Sequence, residues 1–142
     1  MMYVLDASVA LKWVFQEPDS VAALRLRSDY LAGRLELCVP DIFAMEVAHV
    51  IAKAHRRRVL NDEQSSEFLA EVLTAMPPVR ASNHLLAHAF SMALRFHAGV
   101  YDCIYVALAE DLQCEFITSD KKLVTKFAGY PVLELAKYGA SS

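Results

Sequence analysis

Four acidic residues stand where a solvated surface charge is out of place. Asp6 follows the apolar segment Met2 to Leu5, and Glu46 lies inside Ile42-Phe43-Ala44-Met45 and Val47-Ala48. Asp102 opens an apolar run from Ile104 to Ala109, and Asp120 follows Glu115-Phe116-Ile117-Thr118-Ser119. An ionised carboxylate among apolar neighbours must be paired, neutralised or bound to a cation, because desolvating it alone costs several kcal/mol. Basic partners are missing inside these runs. Four acids in one cleft would also raise one another's pKa values unless a divalent ion were present, and hard carboxylate oxygens with waters suit Mg²⁺ or Mn²⁺. Such an ion makes a bound water a better nucleophile and offsets charge developing on a phosphodiester.

Each acid taken alone also fits a plainer role, since an Asp at a helix start serves as an N-cap or dipole partner. Convergence in one cleft separates the two readings. Ser8, Thr118 and Ser119 flank the acids and suit either a supporting role, orienting ligands or waters, or plain capping.

The elements that must position these acids follow from hydrophobic periodicity. Met2 to Leu5 reads as a strand, and the pattern turns helical from Ala7, placing Asp6 at a strand-to-helix junction. After Glu17-Pro18, Asp19 or Ser20 starts a second helix with Val21, Leu24 and Leu31 as its apolar stripe, ending near Gly33. Leu35 to Val39 reads as a second strand stopped by Pro40, and Asp41 to about Arg57 as a long helix carrying Glu46. Asn61 or Asp62 caps a further helix that ends at Pro77-Pro78. Val79 to Ala81 is a brief third strand, and Asn83 to Phe96 is helical. The Asp102 helix, a strand from Glu115 to Thr118, a short helix after Asp120 and a strand around Tyr130 to Leu133 complete the chain.

Strands alternating with helices predict one α/β domain over residues 1–142, three layers deep (α/β/α), with a central parallel sheet of about five strands. Ligands of such sheets bind outside the carboxyl ends of the strands. Asp6 and Asp120 fall at those ends, and Glu46 and Asp102 fall early on helices that can line the same cleft.

Composition narrows the function classes. The chain is 56% hydrophobic and 22% charged, yet holds no run of about 18 apolar residues, so no membrane span is expected. The N-terminus lacks the pattern of a secretory signal, which makes the cytoplasm the expected address. Three cysteines without a Cys-x-x-Cys pair suggest neither a disulfide framework nor a structural zinc site. The net charge of −3 becomes +1 once the four acids are set aside, leaving a surface compatible with phosphate. No glycine-rich phosphate loop and no Gly-x-Ser-x-Gly elbow occur. His84 and His88 have the spacing of a ligand pair but no third partner in view. Lys53 with Arg56 to Arg58, and Lys121, Lys122 and Lys126, are the groups suited to a nucleic-acid backbone. Only a short Gly-Ala-Ser-Ser tail is of low complexity.

With the acids placed, the sequence resembles the PIN-domain family and, within it, the VapC-type toxins of toxin-antitoxin pairs. The matching motifs are Tyr3-Val4-Leu5-Asp6-Ala7-Ser8-Val9, Val39-Pro40 with Glu46-Val47-Ala48, Tyr101 to Ala109, and Phe116 to Leu123. The resemblance implies a Mg²⁺-dependent endoribonuclease on a five-stranded parallel sheet, with Asp6, Glu46, Asp102 and Asp120 as metal-binding and catalytic acids. It also implies a cognate VapB-type antitoxin that blocks the cleft, and toxin homodimers. Cys103 stands where the family often has alanine. The family also holds members that bind without cutting, so a non-catalytic RNA- or protein-binding module is the alternative. A phosphoacceptor domain of the receiver kind is a third reading, since Asp6 and Asp120 both end strands.

Overall fold

The computed structural model describes residues 1–139, so the last three residues of the Gly-Ala-Ser-Ser tail lie outside it. Five parallel strands form one sheet in the order β3-β2-β1-β4-β5, with β1 (Met2–Leu5) in the middle. It is flanked by β2 (Glu36–Pro40) and β4 (Glu115–Thr118), and then by β3 (Val79–Arg80) and β5 (Val132–Glu134). The chain builds outward from β1 to β3, then returns to add β4 and β5 on the other side. The order therefore reverses between β1 and β4, the place where open parallel sheets bind ligands at their carboxyl ends.

Successive side chains of a strand point to opposite faces, and both faces here are apolar. Leu5, Leu37, Val39 and Ile117 enter one core beneath α1 (Ala7–Leu11), α2 (Ser20–Leu31), α3 (Phe43–Arg56) and α4 (Asp62–Thr74). Val4, Cys38 and Phe116 enter the other, with α5 (Leu86–Phe96), α6 (Val100–Leu112) and α7 (Lys121–Lys126). The result is the expected three-layer α/β/α arrangement. Cys103 to Ala109 of α6 are buried without interruption, which is why this helix shows no polar face until after Ala109.

Several boundaries shift. The helix after Asp6 lasts only five residues before giving way to turns. Pro40 is the last residue of β2 rather than the residue after it, and a single 3₁₀ turn (Asn83–Leu85) precedes α5. The apolar stripe expected on α2 is wrong: Val21 and Leu31 are 77% and 65% exposed, and Ala23 and Leu26 are the buried pair. Small Ala23 lets Trp13 approach, and the indole Nε1 donates to the Ala23 carbonyl at 3.0 Å. The α4 cap is Asn61, in a reciprocal capping box with Gln64. No helix among the described residues is long and apolar enough to cross a membrane.

Candidate active site

Asp6 leaves β1 in an extended conformation and precedes α1, so its side chain emerges at the carboxyl end of the central strand. It is only 7% exposed. Its backbone N–H donates to the Ile117 carbonyl at 3.1 Å, continuing the β1–β4 pairing past the last strand residue. Two hydroxyls converge on its Oδ2: Ser8 Oγ at 2.8 Å and Thr118 Oγ1 at 2.6 Å. Burial raises the Asp6 pKa above the usual carboxylate range against these hydrogen bonds, and the Asp120 charge adds to the rise.

Both hydroxyls reach the segment that follows β4. Thr118 Oγ1 accepts from the Asp120 N–H at 3.1 Å, and Ser8 Oγ accepts from the Ser119 N–H at 3.3 Å. Asp120 Oδ1 in turn accepts from the N–H groups of Lys122 (3.0 Å) and Leu123 (3.2 Å), capping α7. The capping reading of Asp120 is thus part of its geometry, and it concerns one of the two carboxylate oxygens.

Glu46 and Asp102 come from first turns of α3 and α6, where the positive end of the helix dipole favours a carboxylate. Even so, burial and then the Asp6 and Asp120 charges push Asp102 up to about 6, with Lys126 opposing. Glu46 is pushed up to about 7 by burial, against the neighbouring Tyr105 hydroxyl, with the Asp6 and Asp102 charges adding to the rise. Its Oε1 is buried without a hydrogen-bond partner. The buried Tyr105 hydroxyl neighbours Glu46, and burial first, then the Asp6 and Glu46 charges, raise its pKa.

All four acids, with Ser8, wall one cavity of about 690 Å³. They ring this space without forming a cage: among the described residues no three His, Cys, Asp or Glu side chains stand close enough to hold an ion unaided. A ring of hard oxygens around a roomy cleft fits a divalent ion that keeps several waters, as Mg²⁺ does, better than a fully protein-ligated one. Burial and mutual charge raise three of the acids, and a cation among them would offset the mutual charge.

His49, Tyr101 and Met45 also line the cavity, and none of the three is among the candidate site residues of the sequence. The histidine pair resolves differently. His88 meets Glu110 at 3.2 Å and His84 lies 3.8 Å from Asp111, so exposed contacts of α5 and of the 3₁₀ turn before it with α6 account for both. Of the basic groups, Lys126 Nζ donates to the His97 carbonyl at 2.8 Å. Lys53 and Arg57 line a second cavity beside the first, whereas Lys121 and Lys122 line neither.

Comparison with known proteins agrees with this architecture. A PIN domain family model matches residues 3–128. Ribonuclease VapC3 of Pyrobaculum aerophilum is 33% identical over 129 residues, covering 89% of this chain and 95% of that protein. Ribonuclease VapC1 of Mycobacterium tuberculosis is 33% identical over 111 residues, covering 74% and 80%. Among solved structures, VapBC2 from Rickettsia felis, bound to a DNA fragment from their promoter, matches with a TM-score of 0.69 at 14% identity, covering 94% of this chain and 98% of that one. VapBC-1 from nontypeable Haemophilus influenzae matches with a TM-score of 0.62 at 18% identity, covering 96% and 100%. Identities this low speak for the fold, and the family rests on the sequence matches. By both the model that spans most of its length and its curated relatives, this chain belongs to the PIN domain family.

Proposed function

We propose that the chain is a metal-dependent endoribonuclease of the VapC kind, the toxin of a toxin-antitoxin pair. The observation that carries this reading is the meeting of Asp6, Glu46, Asp102 and Asp120, from four separate elements, on one cavity at the switch point of the sheet. The ribonuclease names of the relatives supply the reaction class. Mg²⁺, or Mn²⁺ in its place, is the ion that the donor set suits, with Asp6, Glu46, Asp102 and Asp120 as its holders. When bound, the ion activates water and offsets charge that develops on the phosphodiester. The chain's own contribution is orientation. Ser8 and Thr118 fix the Asp6 carboxylate, the α7 backbone fixes Asp120, and the first turns of α3 and α6 hold Glu46 and Asp102 facing the same space.

The partners follow from the same reading. An RNA strand is the substrate, and a VapB-type antitoxin is the inhibitor, as the complexes among the structural neighbours suggest. A second copy of the chain suits the α5 stripe of Leu86, Phe90 and Leu94, spaced four residues apart and 47%, 52% and 63% exposed. The cytoplasm is the compartment that this reading expects.

The alternative is a module that binds RNA or protein in the same cleft without cutting. A cleavage assay on mixed RNA separates the two. The ribonuclease reading expects cleavage with Mg²⁺ that stops in chelator and in Asp6→Asn. Cleavage that persists in either condition overturns the metal mechanism, and tight RNA binding without turnover supports the module.

A further inference from the structure

The acidic cavity does not end at the acids. A second cavity of about 530 Å³ adjoins it and shares the wall made by Ser8, Leu11 and Val50. Its charged lining is reversed in sign: Lys12, Lys53 and Arg57 stand against the single carboxylate of Glu17. The helix α3 explains the arrangement. Glu46, Val50, Lys53 and Arg57 are spaced four, three and four residues apart, which puts them along one helix face over about 16 Å. The face begins at the acid, crosses the shared wall and ends at two exposed cations. On the opposite side, Ser8, whose hydroxyl donates to Asp6, and Lys12 are four apart along α1 and its following turn.

Charge at the end of α3 has a plainer cause, since cations favour a helix C-terminus. That cause does not select a face. Arg56 and Arg58 would serve the dipole equally well, yet they line a different cavity with His55 and Asn61, while Lys53 and Arg57 turn toward the acids. Among the described residues neither Lys53 nor Arg57 is ion-paired, and Lys12 is held only by its bond to the Pro18 carbonyl at 2.7 Å.

We infer that Lys12, Lys53 and Arg57 form a subsite for the phosphates of a single RNA strand next to the one that lies among the acids. This rests on the ribonuclease reading for its substrate, and it adds a direction: the strand runs from the acidic cavity along α3 toward Arg57. A polyanion fits a trough whose far end is cationic, because its flanking phosphates gain attraction that the acidic end withholds. A trough walled by two helices also admits a strand with splayed bases more readily than a duplex. An acidic polypeptide is the rival occupant.

The test measures binding of a short fluorescein-labelled single-stranded RNA by anisotropy between about 50 and 200 mM salt. It is carried out in an Asp102→Asn background, which suppresses turnover without touching the basic residues. Lys53→Gln and Arg57→Gln should each reduce the slope of log affinity against log salt by ~0.7, and together weaken binding about tenfold at the lower salt. Lys53→Arg should retain the slope, and Lys121→Gln with Lys122→Gln should leave it unchanged. Unchanged slopes for Lys53→Gln and Arg57→Gln, loss confined to the α7 lysines, or no RNA binding at all overturns the subsite. A polyglutamate peptide that binds as tightly, with the same dependence on Lys53 and Arg57, overturns its assignment to a nucleic-acid strand. In the otherwise unaltered enzyme the two Gln variants should raise KM and spare kcat. Absence of cleavage with the slopes as expected defeats the ribonuclease reading and leaves the subsite standing.

Discussion

Thr118 Oγ1 donates to Asp6 Oδ2 at 2.6 Å while accepting the Asp120 N–H at 3.1 Å, so one buried hydroxyl ties the ends of β1 and β4 together. Thr118→Val keeps the shape and removes the hydroxyl. Asp6 then keeps one of its two hydroxyl donors and the Asp120 N–H loses its acceptor. The expected cost is about 1–3 kcal/mol in urea unfolding, with cleavage reduced about 10- to 100-fold. Thr118→Ser should recover most of both. Full activity in Thr118→Val would mean that Asp6 needs no such orientation.

A pH dependence follows from the raised acids. Asp6, Glu46 and Asp102 bind protons more tightly in the folded chain than when unfolded, so their contribution to stability is complete below about pH 4. It is lost as pH rises through the folded values of about 6 for Asp102 and about 7 for Glu46. Without divalent ion, the protein should therefore lose stability relative to Asp102→Asn across that window. For a carboxylate still partly in contact with water the difference is on the order of 1 kcal/mol. Mg²⁺ should raise Tm more at pH 7.5 than at pH 5, since ligands must be ionised to hold it. Melting curves with and without Mg²⁺ check both, and a larger Mg²⁺ effect at the lower pH contradicts the assignment.

The placing of the acids was legible in the sequence because a strand-to-helix junction advertises itself twice, by the change of period and by the acid that interrupts it. Asp6 and Asp120 needed only the parallel sheet to become neighbours, and Glu46 and Asp102 only the first turns of their helices. What stayed hidden depends on which neighbour covers a face. Val21, Leu24 and Leu31 have a helical apolar pattern, but small Ala23 and Leu26 are what packs, because Trp13 approaches there. Likewise Lys121 and Lys122 sit beside Asp120 in the chain but line neither cavity, whereas Lys53 and Arg57, already named as basic candidates, are carried by α3 to the cavity beside the acidic one, a placement the sequence does not show. The closeness of the Tyr105 hydroxyl to Glu46 had no local signal, since a Tyr inside an apolar run reads as core.

The α5 stripe makes a prediction about assembly. Phe90→Asp places a charge at the centre of Leu86, Phe90 and Leu94 while sparing the buried face of Ala89, Met92 and Ala93. Sedimentation should find the unaltered chain as a dimer and the variant as a monomer with the fold intact by circular dichroism. A variant that stays dimeric removes α5 from the interface.

Asp120 is the acid for which capping and metal holding compete, and two substitutions divide them. Asn caps a helix about as well as Asp, while Ala forfeits the cap at a cost of about 0.5–2 kcal/mol. Asp120→Asn should therefore keep the bonds to the Lys122 and Leu123 N–H groups, and hold stability to within ~0.5 kcal/mol. It also removes a negative charge that raises Asp6 and Asp102, so any change in metal-free stability should be toward greater stability. If Asp120 holds the ion, cleavage falls in Asp120→Asn as far as in Asp120→Ala, and the Mg²⁺ concentration for half-maximal rate rises in both. If it only caps α7, Asp120→Asn cleaves RNA normally and Asp120→Ala loses activity only as far as it loses fold. Its second carboxylate oxygen is outside the α7 cap bonds and its residue lines the acidic cavity, which is the basis for expecting the first result.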